Sequence, residues 1–281
     1  MGEYEITTAG SREMTTFLEW AEDEQWNPGK LDRLPFHAAD PHGFFLGRLD
    51  NEPVTSVSAV RYGREFGFIG FYIARPPVRG RGYAIQAWRA AMRHLDGRNV
   101  GLDGVVDQQD NYRRSGFRTA WNHLRYAGVP GVERPSGDIS VVDAGTVPFG
   151  VLASYDRRFF PAPRDAFLSL WVALPGHTAL VAVQDGELRG FGVARPAGTG
   201  ARVGPLHAAS DDVALALLHG LSAARPGEPL ALDVPDVNAA AIVLMERLGL
   251  EPTFECARMY TRDVPEVDLP GIYAATTIEL G

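Results

Sequence analysis

The chain has 281 residues, of which 45% are hydrophobic, and a formal net charge of −8 at neutral pH. This length predicts two domains, and the composition is typical of globular proteins. The apolar runs are too short to span a bilayer, the N-terminus does not resemble a signal peptide, and the lone Cys256 excludes an internal disulfide and a cysteine-rich metal site. Basic and acidic residues are equal in number in residues 1–132, so the negative charge lies in the second half. This field disfavours nucleic acid and can attract a cationic ligand, although solubility alone would also explain it.

From these features we expect a cytoplasmic protein that binds neither nucleic acid nor membranes. The seven histidines show no ligand-like pairing, so no metal is expected.

The first half of the chain predicts a strand, a helix and then a β-meander. Apolar residues at alternating positions predict the strands, and apolar residues at helical spacing predict the helices. The segment Asp50–Pro53 has the composition of a hairpin turn. The predicted strands are 3–9, 44–49, 54–62, the strand that begins at Phe66, 100–106 and 122–128; the predicted helices are 11–21 and the one that ends at Leu95.

Residues 66–95 form the most informative segment. An apolar strand ends at Pro76-Pro77, a basic glycine-rich loop follows, and an amphipathic helix comes next. Gly80 and Gly82 permit close backbone approach, so the loop can offer bare N–H groups in front of a helix N-terminus. We therefore expect a phosphorylated ligand on this loop. The helix face predicted to be buried comprises Ala84, Ile85, Ala87, Trp88, Ala91, Met92 and Leu95.

Two common phosphate sites are excluded at this loop. A nucleotide-hydrolase loop needs a Gly-Lys-Ser/Thr ending, and the only lysine is the distant Lys30. A dinucleotide fingerprint needs a glycine where Ile85 stands. A surface turn with solvated arginines remains an alternative.

The second half repeats the order of the first. Leu102-Asp103-Gly104 matches Leu232-Asp233-Val234, and Arg114–Phe117 matches Arg247–Leu250. A tandem duplication explains this, with its boundary in the Pro- and Gly-containing stretch 130–137, so we predict domains at 1–132 and 133–281. The fold class is α/β, with mixed α+β sheet domains. The predicted strands are 139–144, 179–183, 188–194, 203–206, 230–234 and 254–261; the predicted helices are 151–160, 166–174, 211–224 and 238–248.

The loop order Arg79-Gly80-Arg81-Gly82-Tyr83-Ala84 resembles the acyl-coenzyme A signature Arg/Gln-x-x-Gly-x-Gly/Ala of the GNAT-superfamily N-acetyltransferases. With the repeat, the whole chain resembles a tandem GNAT acetyltransferase. The resemblance implies that backbone groups of the preceding strand bind the pantetheine arm of acetyl-CoA and that the loop holds its pyrophosphate. The coenzyme residues implied are Tyr72, Ile73, Ala74, Arg79, Gly80, Arg81, Gly82, Tyr83, Ala84 and Ile85.

The resemblance also implies catalytic residues. Tyr112, in Tyr-x-x-x-Gly-Phe ending at Phe117, would reprotonate the coenzyme A thiolate; a merely packed tyrosine is the alternative. Asn111 directly precedes Tyr112, whereas the family has its asparagine several residues earlier, so this helix is expected to be short or irregular. Asp103 is the candidate base, with Glu65 or a water chain as alternatives. His123 could carry a proton or simply be packed, and the twin of Asp103, Asp233, could mean that the position is structural in both halves.

The second half lacks the catalytic part of the pattern. Met245 replaces the tyrosine, and Pro205–Ser210 replaces the glycine loop. We therefore expect a scaffold that walls the acceptor site, with the segment Trp20–His42 over the acceptor. The predicted function is transfer of an acetyl group to a primary amine of a small molecule or peptide in a ternary complex. The negative charge of the second half is compatible with a cationic acceptor. An acyl-CoA sensor without turnover and transfer of a longer acyl group are the alternatives.

Overall fold

The computed structural model describes residues 2–131, 133, 135 and 138–281. The first half contains six strands and four helices: β1 (Tyr4–Thr8), α1 (Met14–Asp23), α2 (Arg33–Ala39), β2 (Phe44–Leu49), β3 (Glu52–Tyr62), β4 (Phe66–Ala74), α3 (Tyr83–His94), β5 (Asn99–Val105), α4 (Gln109–Arg114) and β6 (Arg118–Gly128). The described part of the second half contains β7 (Ser140–Asp143), α5 (Phe149–Asp156), α6 (Asp165–Ala173), β8 (Thr178–Gln184), β9 (Glu187–Pro196), β10 (Ala201–Ala208), α7 (Asp211–Ala223), β11 (Leu230–Pro235), α8 (Ala239–Arg247), β12 (Glu251–Tyr260) and β13 (Ile272–Ala274).

The predicted elements are present, and the mixed α/β class is confirmed, but some details differ. Helix α2 and strand β13 were not predicted, because each is short and lacks a clear apolar period. The first helix begins at Met14 rather than Ser11. Ile85 is 41% exposed, although the pattern predicted burial. It lies in the first turn of α3, at the edge of the apolar stripe that Ala87, Trp88 and Ala91 continue into the core.

All thirteen strands of the described residues belong to one sheet, in which the halves exchange strands. The order is β1-β2-β3-β4-β5-β12-β6-β11-β10-β9-β8-β7, with β13 beside β10. Thus β12 of the second half lies between β5 and β6, and β6 of the first half lies between β12 and β11. Each half completes the sheet of the other. The predicted boundary at residue 132 lies outside the described residues and stays a prediction.

Helices cover both faces of the sheet. On β4, Phe68 packs into the core beneath α1 and α2, while its neighbour Ile69 packs into the core beneath α3. This alternation follows from the two-residue period of a strand. Among the described residues, no helix is both long enough and apolar enough to cross a bilayer.

A bulge in β4 opens the sheet at its centre. Ser58 pairs with Gly70 but Ser56 pairs with Ile73, so β4 contains one extra residue there. Phe71 has φ +48°, and its carbonyl oxygen accepts a hydrogen bond of 2.8 Å from the Ser56 hydroxyl. Parallel pairing between β4 and β5 ends at Ile69. Beyond Ile69 the two strands diverge and leave a wedge.

Candidate active site

The wedge between β4 and β5 opens into a cleft of about 400 Å³. One wall is the end of β4, and the other is the end of β5 with the start of α4. Six of the predicted coenzyme residues line this cleft, namely Tyr72, Ile73, Ala74, Arg79, Gly80 and Ala84, and so do both predicted catalytic residues, Asp103 and Tyr112. The structure therefore brings together residues that are up to 40 positions apart in the sequence.

The glycine-rich loop lies at one end of the cleft. Gly80 and Gly82 have φ of +74° and +83°, in the left-handed region that favours glycine. Gly82 is the N-cap of α3, and no described side chain caps this helix. The first N–H groups of α3 are therefore available to an anion, and the helix dipole favours negative charge there.

Arg79 lies between the loop and the first helix. Its Nε donates a hydrogen bond of 2.8 Å to the carbonyl oxygen of Ala74, and its guanidinium pairs with Glu24. Both Arg79 and Glu24 line the cleft. The remaining predicted coenzyme residues, Arg81, Gly82, Tyr83 and Ile85, do not line it.

Tyr112 lies on α4, which has only six residues, as the position of Asn111 predicted. Its ring packs 5.5 Å from Trp88 between centroids, and a Cβ on Gly104 would come within 2.7 Å of it. Glycine at position 104 thus makes room for the tyrosine. Burial raises the pKa of Tyr112 well above its usual range, so the phenol keeps its proton at neutral pH.

Asp103 is completely buried and paired. Its two oxygens accept hydrogen bonds of 2.8 Å each from Arg258, and Oδ1 lies 3.1 Å from Nδ1 of His123. Burial alone would raise the pKa of Asp103, but Arg258 and His123 hold it below its usual range. A carboxylate bound in this way is a weak proton acceptor. The geometry therefore favours the structural alternative.

Asp233 occupies the matching position in the second half. Its Oδ1 and Oδ2 accept hydrogen bonds of 2.7 and 3.3 Å from Arg125, and Oδ2 also contacts Arg202.

The other candidate base, Glu65, is exposed in the turn before β4. That turn lies at the end of β4 remote from the wedge.

His123 belongs to a buried cluster with Asp103 and Cys256, whose ligand atoms lie within 4.8 Å of one another and could hold a metal ion. The indole N–H of Trp121 donates to His123 Nε2, so the ring proton is on Nδ1 and faces Asp103. Burial raises the pKa of Cys256. A cation here would have to displace a proton and compete with Arg258.

Glu279 is a residue of the cleft that sequence reasoning missed. It follows β13 in a segment, 269–281, that contains no other charged residue. That shortage of charge signals burial, but nothing local indicates where the segment lies. The structure places Ile278 and Glu279 in the cleft, with the Glu279 backbone against Gly70.

The corresponding wedge of the second half is filled by the chain itself. Parallel pairing of β10 with β11 ends at Val203, and β13 pairs with β10 beyond it. A Cβ on Gly204 would lie 2.3 Å from the carbonyl oxygen of Thr276. In addition, the Ser210 side chain caps α7, whose first turn carries two aspartates. These features disfavour an anion at the second wedge.

The predicted acceptor segment contributes two residues, Glu24 and Trp26, to the cleft. It is held by the second half, because Asp32 makes a buried ion pair of 3.0 Å with Arg195 and Asn27 exchanges two hydrogen bonds with the Thr199 backbone. Phe36 instead packs in the core, 6.1 Å from Trp171 between ring centroids.

Comparison with known proteins agrees with this architecture. Residues 11–117 match the model of the acetyltransferase (GNAT) family, and residues 152–274 match that of an acetyltransferase (GNAT) domain. Holothin acyltransferase from Pseudoalteromonas sp. (strain SANK 73390) is 33% identical over 267 residues, which cover 94% of this chain and 90% of that protein.

Solved structures show the same fold. A putative acetyltransferase from Pyrococcus horikoshii superimposes with a TM-score of 0.80 at 22% identity, covering 99% of this chain and 96% of that one. A tandem GNAT protein from the clavulanic acid biosynthesis pathway gives a TM-score of 0.62 at 14% identity, covering 92% and 98%. The two-copy arrangement predicted from the sequence is thus shared with solved proteins.

Proposed function

Because the chain belongs to the GNAT family of acyltransferases, we propose that it transfers the acetyl group of acetyl-CoA to a primary amine of a small molecule or peptide. The observation that supports this best is the open wedge between β4 and β5. A protonated tyrosine lines it, and an uncapped helix N-terminus stands at its end.

The residues of the wedge suit the two ends of the coenzyme. Backbone groups at the end of β4, which have lost their β5 partners, would hydrogen-bond the pantetheine arm, and the N–H groups at the start of α3 would hold the pyrophosphate. The thioester would then lie near Tyr112. The amine attacks the carbonyl carbon, the C–S bond breaks, and the phenol of Tyr112 protonates the departing thiolate.

A titration of the chain with acetyl-CoA by calorimetry tests the coenzyme part. We expect one site per chain, because the second wedge is filled by β13. Gly82→Trp should abolish binding, since it strains a left-handed residue and blocks the start of α3. Gly186→Trp is the matched control, because Gly186 also has positive φ, +77°, and open surroundings but lies in the β8–β9 turn. Two equal sites would contradict the proposal.

A screen of amines that follows release of free thiol from acetyl-CoA tests the reaction. Holothin is the first acceptor to try, because a relative is named for its acylation, followed by amino acids, polyamines, aminoglycosides and peptides. Propionyl- and butyryl-CoA in the same assay determine the acyl length. Binding of acetyl-CoA without transfer to any acceptor would instead indicate a sensor.

A further inference from the structure

The segment after β13 runs from the filled wedge of the second half to the open wedge of the first. The nitrogen of Ala275 donates to the carbonyl oxygen of Asp233 on β11, at 2.9 Å. Four residues later, the carbonyl oxygen of Glu279 would lie 2.0 Å from a Cβ on Gly70. Gly70 stands one residue beyond the last β4–β5 pair, Ile69 with Leu102. The tail backbone is therefore seated at the apex of the open wedge.

Glu279 is a buried carboxylate without an ion-pair partner among the described residues. It is 2% exposed, it lines the cleft, and its Oε2 accepts no hydrogen bond. A buried ionised group normally has a partner, and the exceptions concentrate at functional sites. The buried, unpaired oxygen lacks the partner that would stabilise its charge, so a proton delivered from the cleft would stabilise this carboxylate.

The charged groups that face Glu279 come from four other elements. Each of the three arginines pairs with another carboxylate, although Nη1 of Arg195 and Nε of Arg202 have no hydrogen-bond partner within the described part of the chain. Arg195 on β9 binds Asp32 of the segment before α2, while Arg202 on β10 and Arg125 on β6 both contact Asp233. Burial raises the pKa of Glu279, and the attraction of Arg202, Arg195 and Arg125 offsets this only in part. The environment of Asp103, by contrast, lowers the pKa of its carboxyl. Two carboxyls whose environments separate their pKa values in this way suit different tasks, the lower one structural and the higher one proton transfer.

We infer that Glu279 is the general base that takes the proton from the acceptor amine. The inference rests on the proposed function. The ammonium of the acceptor gives one proton to the Glu279 carboxylate, and the freed lone pair forms the N–C bond to the thioester carbonyl. The C–S bond breaks with its electron pair on sulfur, and Tyr112 protonates the thiolate. The second nitrogen proton returns to Tyr112 through solvent, and Glu279 releases its proton to water.

The decisive kinetic test compares Glu279→Gln with wild type on two acceptors of similar size. Benzylamine is protonated at pH 7, whereas phenylhydrazine is largely neutral and needs no base before attack. Glu279→Gln should lower kcat/KM for benzylamine by about 10²- to 10⁴-fold, and the acidic limb of the pH profile should move from the pKa of Glu279 to that of the free amine. The loss for phenylhydrazine should be much smaller. Equal losses with both would overturn the inference. Thr277→Val is the control for the tail, because the Thr277 hydroxyl accepts from Leu280 N at 2.9 Å, and its effect should not depend on the acceptor.

A stability measurement needs no acceptor. The pKa of Glu279 is higher in the folded protein than in the unfolded chain. Ionised Glu279 therefore destabilises the fold at pH values above its pKa in the unfolded chain, and below that pKa the destabilisation vanishes. Glu279→Gln should therefore raise Tm at pH 8, with the gain shrinking towards pH 4. A Tm lowered at pH 8 would show that Glu279 is held by ion pairing and would overturn the inference. The same variant should still bind acetyl-CoA at one site. Loss of that binding would count against the proposed function, so the titration distinguishes failure of the proposed function from failure of the Glu279 inference.

Discussion

At the residue scale, burial and charge distinguish residues that look alike in the sequence. The side chains of Asp103 and Glu279 are both buried, and both residues line the same cleft. Asp103 is bound on both oxygens by Arg258, whereas Glu279 has a free oxygen. As carboxylates, both Asp103 and Glu279 are candidate bases. The ion pair with Arg258 stabilises the charge of Asp103, so of the two only Glu279 remains without such a partner among the residues that the structure describes.

The first prediction at this scale concerns the phenol of Tyr112. Tyr112→Phe removes the proton donor but keeps the ring against Trp88, so turnover should fall by about 10²-fold or more while acetyl-CoA affinity stays the same. Steady-state kinetics and calorimetry on the same preparation check this. Tyr72→Phe is the matched control: burial raises the pKa of Tyr72 to about 12, but its proposed role uses only the backbone. Unchanged turnover in Tyr112→Phe would remove this residue from the mechanism.

At the element scale, the exchanged strands are joined by reciprocal ion pairs. Arg258 on β12 binds Asp103 on β5, and Arg125 on β6 binds Asp233 on β11, in each case directly across the sheet. Each aspartate thus pairs with an arginine from the opposite half. These cross-strand Arg–Asp pairs join the strands of the two halves within the single sheet.

Removal of one partner should therefore be costly. Arg258→Met leaves Asp103 as an unpaired buried charge, and we expect a loss of about 3–5 kcal/mol in the free energy of unfolding. The double variant with Asp103→Asn should recover much of this loss, because the uncompensated charge is gone. Urea unfolding measures both. The control Arg247→Met breaks an exposed pair with Glu133 and should cost less than about 1 kcal/mol; an equal cost would contradict the assignment.

At the scale of the whole molecule, strand exchange and the tail make one folding unit. The β5 edge of the first half is completed by β12, and the tail after β13 is buried between the halves as far as residue 281. The second half therefore contributes strand β12 to the sheet beside β5, and Ile278 and Glu279 to the cleft of the first half.

Unfolding should accordingly be a single transition. Far-UV circular dichroism follows all strands, whereas four of the five tryptophans lie in the first half, so the two signals would separate if the halves unfolded independently. We expect coincident urea midpoints, and Arg258→Met should lower both midpoints together. A resolved first transition seen by only one probe would show that the halves are independent.

The amino-acid sequence by itself determined most of the order of the elements, the duplication, the glycine-rich loop and the absence of that loop from the second half. These are local properties, because periodicity, glycine spacing and chain breaks depend on residues close in sequence. Only the tertiary structure decided which strands pair, that Asp103 is bound by Arg258, that β13 fills the second wedge, and that Glu279 reaches the first. The physical reason is that β6 and β12 are equivalent strands of a repeat, so either fits either sheet by pattern. Long-range packing makes the choice, and it also places Glu279 in the same cleft as the loop that the sequence had already identified.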